Sequence, residues 1–254
     1  MSRVPNPALL SHLACPRCAE PLQHVEARVA CASAHSFDIA RHGYLPLLVA
    51  GHATSGDDGA MVAARERLVA SGVYAPVVEA VTREVLEAFD AGDAPPTADG
   101  PVLVDAGGGT GTATAAVLDA RADAGGILLD LSRAAIQRAA RAHRRMVAVR
   151  ADVWRSWPVR SGIADVVLHV FSPRNPAEAV RVLRPGGHVV LATPRAGHQR
   201  ELVGPLGLLR VDDNKADGIV DAFTDLCTLA RRHQVDASWQ LTRDQVVDLV
   251  RAGP

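Results

Sequence analysis

The chain has 254 residues, 48% of them hydrophobic, and a formal net charge of −1; that allows one large domain with a small appendage and gives no global basic signature for nucleic acid. No apolar run reaches the roughly 18 residues of a membrane span, and Met1 to Leu13 lacks the charged start and apolar core of a secretory leader. Four cysteines in a chain of this type argue against a disulfide framework, so the reading is a cytoplasmic protein with no membrane partner.

Taken in order, the first signal is Cys15-Pro16-Arg17-Cys18 followed by Cys31-Ala32-Ser33-Ala34-His35, a C-x2-C-x12-C-x3-H pattern. One pair closes a knuckle and the other returns on a hairpin. Three thiolates and an imidazole suit tetrahedral Zn²⁺. With four protein ligands no coordination position is left open, so the zinc is structural. Such a short segment has too little core to fold alone, and metal binding supplies that free energy.

Residues 60–90 read as a pair of amphipathic helices that bridge two domains, broken at Gly72–Pro76, where Tyr74 sits. Asp90 to Pro101 is rich in Ala, Asp, Gly and Pro and reads as a linker. The expected organisation is residues 1–50 as a zinc-binding RNA-recognition domain, 51–100 as bridging helices and linker, and 101–254 as the catalytic domain.

From Pro101 strand and helix signals alternate: strands over 102–105, 126–130, 146–150, 163–170 and 187–193, helices over 112–121, 132–144 and 176–184. Short apolar runs between helices predict a parallel sheet covered on both faces, with ligand at the carboxyl ends of the strands. The first strand ends on Asp105, and Gly107, Gly109 and Gly111 follow at every second position before Ala113 and Thr114 open a helix. Glycines let backbone approach a ligand, and a helix start offers free N–H groups. The Asp-x-Gly-x-Gly-x-Gly spacing resembles motif I of class I S-adenosylmethionine (SAM) methyltransferases. Asp130 ends the next strand, where a ribose-binding carboxylate belongs roughly 20 residues past the glycines; taken alone it reads equally as a helix N-cap with Ser132. Asp152 follows the third strand, where this fold often reads the adenine amino group. Phe171-Ser172-Pro173 follows the fourth.

Eight arginines (133, 138, 141, 144, 145, 150, 155 and 160) face one acid, Asp152, between residues 133 and 160. The stretch reads either as a track for RNA phosphates, with Arg141, Arg144 and Arg145 at its centre, or as a solvated helix face.

His35-Ser36-Phe37-Asp38-Ile39-Ala40-Arg41-His42-Gly43-Tyr44-Leu45-Pro46 resembles the zinc-ribbon end of the 23S rRNA guanine-N1 methyltransferases (the RlmA family). Gly56 to Pro76, the glycine loop, and Arg181-Val182-Leu183-Arg184-Pro185-Gly186-Gly187 resemble that family too. The resemblance runs from about Leu13 to Pro254. It implies an α/β fold: a class I, Rossmann-like SAM-methyltransferase domain with a small N-terminal zinc-ribbon domain. It implies methyl transfer from SAM to guanine N1 in a 23S rRNA hairpin loop, a homodimer, and a family that includes macrolide-resistance members. It also places Tyr74 at the methionine end of SAM and His198 near the SAM site. Read from the residues alone, Tyr74 is equally a packing residue and His198 equally an exposed loop histidine. The family continues past Gly253-Pro254 with another helix and a final strand, whereas this sequence stops after a short helix over 244–251.

Guanine N1 lies on the Watson–Crick edge, so the target base must be looped or flipped out. N1 carries a proton that must leave; His198, Asp38 and His169 are the candidate bases or hydrogen-bond partners, in that order. Phe171, Ser172 and Pro173 form the expected acceptor loop, where an apolar ring stacks on the base. Two other readings stand beside this one: a small-molecule SAM methyltransferase of secondary metabolism, which leaves the zinc ligands unexplained, and a non-catalytic RNA-binding protein, against which the intact glycine loop speaks. The zinc segment is expected to form one wall of an RNA cleft, and a chain beginning near Gly51 is expected still to bind SAM.

Overall fold

Two sheets organise the chain. The structure is a computed structural model and describes residues 5–49, 56–92, 100–207 and 215–253. A single-turn helix α1 (Pro7–Leu10) leads into a small antiparallel sheet of β1 (Gln23–Val25), β2 (Arg28–Ala30) and β3 (Ser36–Asp38). A two-residue strand, β4 (Leu45–Pro46), follows. Helices α2 (Gly59–Ala70) and α3 (Ala75–Ala91) are the expected pair. Asp58 caps α2 by accepting from Ala60 and Met61 N–H. The expected linker over 90–101 falls mostly on residues 93–99, outside the described residues.

From Val102 the chain alternates as the apolar runs require: β5 (Val102–Ala106), α4 (Thr112–Ala120), β6 (Gly125–Asp130), α5 (Arg133–Ala142), β7 (Met146–Arg150), β8 (Ala164–Val170), α6 (Pro176–Val182) and β9 (Leu183–Ala192). The strands form one sheet in the order β4-β7-β6-β5-β8-β9, every neighbouring pair parallel. The chain leaves β5 first toward one edge and then toward the other. That reversal puts a crevice at the carboxyl end of β5, the usual ligand position in open α/β sheets. The helix expected to run to residue 184 stops at Val182, and its last residues join β9. Arg184 precedes Pro185, whose ring disfavours the α conformation there.

Alternate strand residues feed two cores, as a period of two demands. On one face Leu103, Leu128, Val166 and Leu168 pack against Val81 and Val85 of α3, Val117 and Leu118 of α4, and Ile136 of α5. On the other face Val102, Val104, Ile127, Leu129, Val147 and Val149 pack against α6, against Trp157 and Val159, and against Leu9, Leu10, Leu13, Leu45 and Leu47 of the N-terminal segment. Residues 151–163, which connect β7 to β8, contain no helix. The N-terminal segment covers the sheet face beside them: Leu13 bridges Val159, and Ala14 N–H donates to Pro158 O at 3.0 Å. Its β4 extends the main sheet by pairing Leu45 with Val149 and Pro46 with Arg150.

Beyond β9 come α7 (Arg200–Leu206), α8 (Lys215–Asp221) and α9 (Arg243–Ala252), the last started by a Thr242–Gln245 capping box. This is the short helix expected over 244–251. It lies on α2, where Arg67 donates to both oxygens of Asp248 at 2.7 and 2.6 Å. Among the described residues the main sheet has no antiparallel strand. No described helix is long and apolar enough to cross a membrane.

Candidate functional site

Five segments meet at the carboxyl edge of the sheet. The first is the loop from β5 to α4, where Gly107, Gly109 and Gly111 all have positive φ (77°, 58° and 84°). Gly108 is held to glycine by space instead: a Cβ there would stand 2.4 Å from an oxygen of Asp105. No side chain caps α4, since Gly111 is its N-cap, so the first N–H groups of the helix face the crevice.

Asp105 itself points under the loop and is buried. One oxygen accepts from Thr114 Oγ1 at 2.6 Å, and the other meets no donor among the described residues. Burial pushes its carboxyl from an ordinary 3.8 up to about 7; the Thr114 bond opposes the shift and the nearby charge of Asp130 adds to it. Ala113 and Thr114 are likewise buried beneath the loop.

The second segment is the end of β6. Asp130 accepts from Gly109 N–H at 2.9 Å and from Ser132 N–H at 2.7 Å, one bond to each oxygen. Each oxygen keeps a further lone pair, so the carboxylate fixes the glycine loop and can still accept two hydroxyls. Burial raises its pKa, and the two N–H bonds hold the rise back. Ser132 both caps α5 and donates to Asp57 O at 2.5 Å.

That bond brings in the third segment, residues 56–58 with α2. Arg65 pairs with Asp57, and its charge acts on both Asp130 and Tyr74. Tyr74 lies among Ala64, Leu68, Leu249 and Ala252, and burial raises the pKa of its phenol. Nothing local in the sequence marks Arg65, which sits in α2 between Ala64 and Glu66 with no motif around it.

The fourth segment follows β7. Asp152 is buried and accepts from Trp154 N–H at 3.0 Å. The fifth follows β8. Ser172 Oγ donates to Ala106 O at 2.6 Å, tying the Phe171-Ser172-Pro173 loop directly to β5. Phe171 has φ 52°, a left-handed conformation uncommon for a bulky residue. That backbone turns its ring outward: it is 43% exposed and lies 6.4 Å from the ring of His198, with 29° between the planes. Two residues named from separate parts of the sequence thus face each other at the rim.

The other two candidate bases sit differently. His169 is fully buried beneath the acceptor loop, with Nδ1 3.1 Å from Pro173 O. A carbonyl only accepts, so Nδ1 carries the proton. Burial pushes the imidazole down to about 4. Asp38 lies exposed on the ribbon, in register with Arg28, and no described contact links it to the glycine loop.

The arginine stretch divides between the two ends of the sheet. Arg133 and Arg150 lie at the carboxyl edge, lining an open concavity of about 340 Å³ with Gly56 to Gly59. Arg141, Arg144 and Arg145 lie at the far end of α5, toward the amino edge. Arg145 is taken up structurally: it donates to the carbonyls of Arg121 and Ala124 at 2.7 and 2.6 Å and also to Leu118 O, closing the end of α4. Arg141 reaches His42 of the N-terminal segment, and Arg144 is exposed.

The metal ligands converge. Sγ of Cys15, Cys18 and Cys31 and a ring nitrogen of His35 all lie within 4.8 Å of one another. Cys15–His35, Cys31–His35 and Cys18–Cys31 are each 3.6 Å. A tetrahedron with Zn–S of about 2.3 Å and Zn–N of about 2.05 Å has edges of about 3.6–3.8 Å, so the donor set fits zinc with no position left over. Cys15 and Cys31 are buried in the core they share with the main sheet.

A switch-point glycine loop, strand-end acids and an acceptor loop bonded to β5 define a class I SAM-dependent methyltransferase, here carrying a zinc ribbon. Residues 104–191 match a family model described as a methyltransferase domain. Residues 13–55 match one described as "RlmA, N-terminal", a zinc ribbon. The chain is 41% identical over 97% of its length to a "23S rRNA (guanine(748)-N(1))-methyltransferase" of Streptomyces fradiae, covering 86% of that protein. It is 43% identical over 98% of its length to a putative 23S rRNA (guanine-N(1)-)-methyltransferase of Micromonospora griseorubida, covering 88% of it. A Bacillus subtilis protein with the same putative activity is 30% identical over 74% of this chain and 66% of its own length. The chain belongs to the 23S rRNA (guanine-N1)-methyltransferase family.

Proposed function

We propose that the chain transfers the methyl group of SAM to N1 of a guanine in a hairpin loop of 23S rRNA. The likeness to the Streptomyces fradiae enzyme carries this reading, because it runs through both the zinc ligands and the glycine loop. SAM supplies a methyl already activated by its sulfonium, so the protein's work is positioning. In this reading Gly107, Gly109, Gly111, Ala113 and Thr114 cradle the cofactor's methionine part, with Asp105 buried behind them. Asp130 accepts the ribose hydroxyls and Asp152 faces the adenine. Tyr74 closes the methionine end beside Arg65.

Phe171 and His198 form the rim against which the guanine lies, on the loop held by Ser172 and Pro173. His198 accepts the N1 proton or orients that edge. It suits the task better than His169, which is sealed under the loop, and better than Asp38, which lies out on the ribbon. Cys15, Cys18, Cys31 and His35 hold a structural zinc. Arg141 and Arg144 touch RNA phosphates at the far end of α5. Residues 1–50, 51–100 and 101–254 act as recognition, bridging and catalytic units in a cytoplasmic homodimer.

The test is methylation of 23S rRNA with labelled SAM, followed by primer extension. Methyl on N1 blocks base pairing, so reverse transcription stops at one guanine. Label incorporated without a stop would place the methyl elsewhere and refute the reading.

A further inference from the structure

The side chain of Trp154 has no part in the site as described so far, and the residue is 64% exposed. Exposed tryptophans on loops are usually free to move, but this one is tied on both sides. Its N–H donates to the buried Asp152 at 3.0 Å, and its carbonyl accepts from Asn175 Nδ2 at 3.3 Å. Asn175 Nδ2 also donates to Arg155 O at 3.2 Å, and its Oδ1 caps α6 by accepting from Glu178 N–H. β7 and β8 are not neighbours in the sheet; β6 and β5 lie between them. The Asn175 bonds therefore draw the loop after β7 across the carboxyl edge to the acceptor loop. The same loop continues to Pro158 and Val159, which bond and pair with Ala14 and Leu13, next to the Cys15 knuckle. The loop that carries Trp154 thus links the zinc ribbon to the start of α6 beside the acceptor loop, with the exposed Arg155 next to Trp154.

We propose that Trp154 is a stacking platform for an unpaired RNA base flanking the target guanine, with Arg155 taking the adjoining phosphate. The proposal rests on the rRNA reading above. A looped guanine arrives with unstacked neighbours, and an aromatic face at the mouth of the pocket replaces the stacking they have lost. A platform works only if its backbone is fixed, which is what Asp152 and Asn175 do. The geometry favours RNA over the cofactor's adenine, because the Trp154 backbone is tied to Asn175 beside the acceptor loop and the residue is exposed, whereas Asp152 is buried.

The test compares wild type, Trp154→Ala and Trp154→Phe, all full-length and zinc-loaded, on a 23S hairpin RNA. Trp154→Ala should weaken RNA binding about 5- to 100-fold, the loss expected for one stacked base, and leave SAM affinity by titration calorimetry unchanged. Trp154→Phe should restore most of the RNA affinity. It should also reduce the RNA-induced quenching of tryptophan fluorescence expected of wild type. Unchanged RNA affinity in Trp154→Ala, with wild type active, would overturn the platform. So would a loss of SAM affinity, which would place the ring against the adenine. A wild type that fails to methylate the RNA would instead overturn the functional reading beneath it.

Discussion

Asp105 offers a prediction whose size follows from its position. Its carboxyl is buried, with an ordinary pKa of 3.8 raised to about 7. Between those values the folded protein holds a proton that the unfolded chain has released. Stability from this group is therefore fully present below about pH 4 and is lost as pH rises through about 7. The whole shift is worth about 4 kcal/mol, of which about 2 kcal/mol falls between pH 5 and 7. His169 works against it. Its pKa is lowered from 6.5 to about 4, so its burial destabilises the fold at acid pH and ceases to do so above about 6.5. The two slopes oppose each other between about pH 4 and 6.5, so neither is read from the wild type alone. Asp105→Asn separates them. The amide can still accept the Thr114 hydroxyl but does not titrate. Urea unfolding of both proteins across pH 5–8, zinc-loaded and without SAM, gives the difference. The variant should gain on wild type by about 2 kcal/mol from pH 5 to pH 7, whatever constant offset its unpaired amide imposes. A difference that is flat, or that falls with pH, would show that Asp105 is ionised in the fold.

Three other outcomes are expected. Asp130→Asn should weaken SAM binding by about 1–3 kcal/mol, the cost of exchanging a charged acceptor for a neutral one; unchanged calorimetric affinity would reject the ribose assignment. Metal analysis should find one zinc per chain, and Cys31→Ser should abolish it and lower the thermal midpoint of the whole protein, since Cys31 shares a core with β5, β6 and β7; an unaltered midpoint would mean the ribbon and sheet unfold independently. Arg145→Ala should cost stability by about 1–3 kcal/mol through the carbonyls it leaves bare without changing the salt slope of RNA binding, whereas Arg141→Glu with Arg144→Glu should reduce that slope; equal effects of both variants on RNA binding would return Arg145 to the RNA face.

What the sequence made legible was local. The glycine loop, the strand-end acids and the Cys/His spacing are short-range patterns, and their positions follow once each strand and helix has a period. What it hid depends on partners far along the chain. Arg145 looks like any arginine in its stretch until the carbonyls at 118, 121 and 124 come round to meet it. Trp154 is one aromatic after an acid until Asn175 draws its loop across the sheet. β4 is two residues long, too short to show any period, yet it extends the main sheet. The same limit bears on the N-terminal segment, which the spacing of its ligands presents as a self-contained recognition piece. In this fold the β7–β8 connection supplies no helix, and Leu9, Leu10, Leu13, Leu45 and Leu47 cover part of that face of the sheet. A chain beginning near Gly51 would uncover part of this face around Ile127 and Val149, at roughly 1.5–3 kcal/mol for each large apolar side chain fully uncovered. That loss is a large fraction of the roughly 5–15 kcal/mol by which an ordinary domain is stable. The shared core argues that such a chain does not retain SAM binding, because the strands that end on Asp105 and Asp130 depend on the zinc segment for part of one of their two faces.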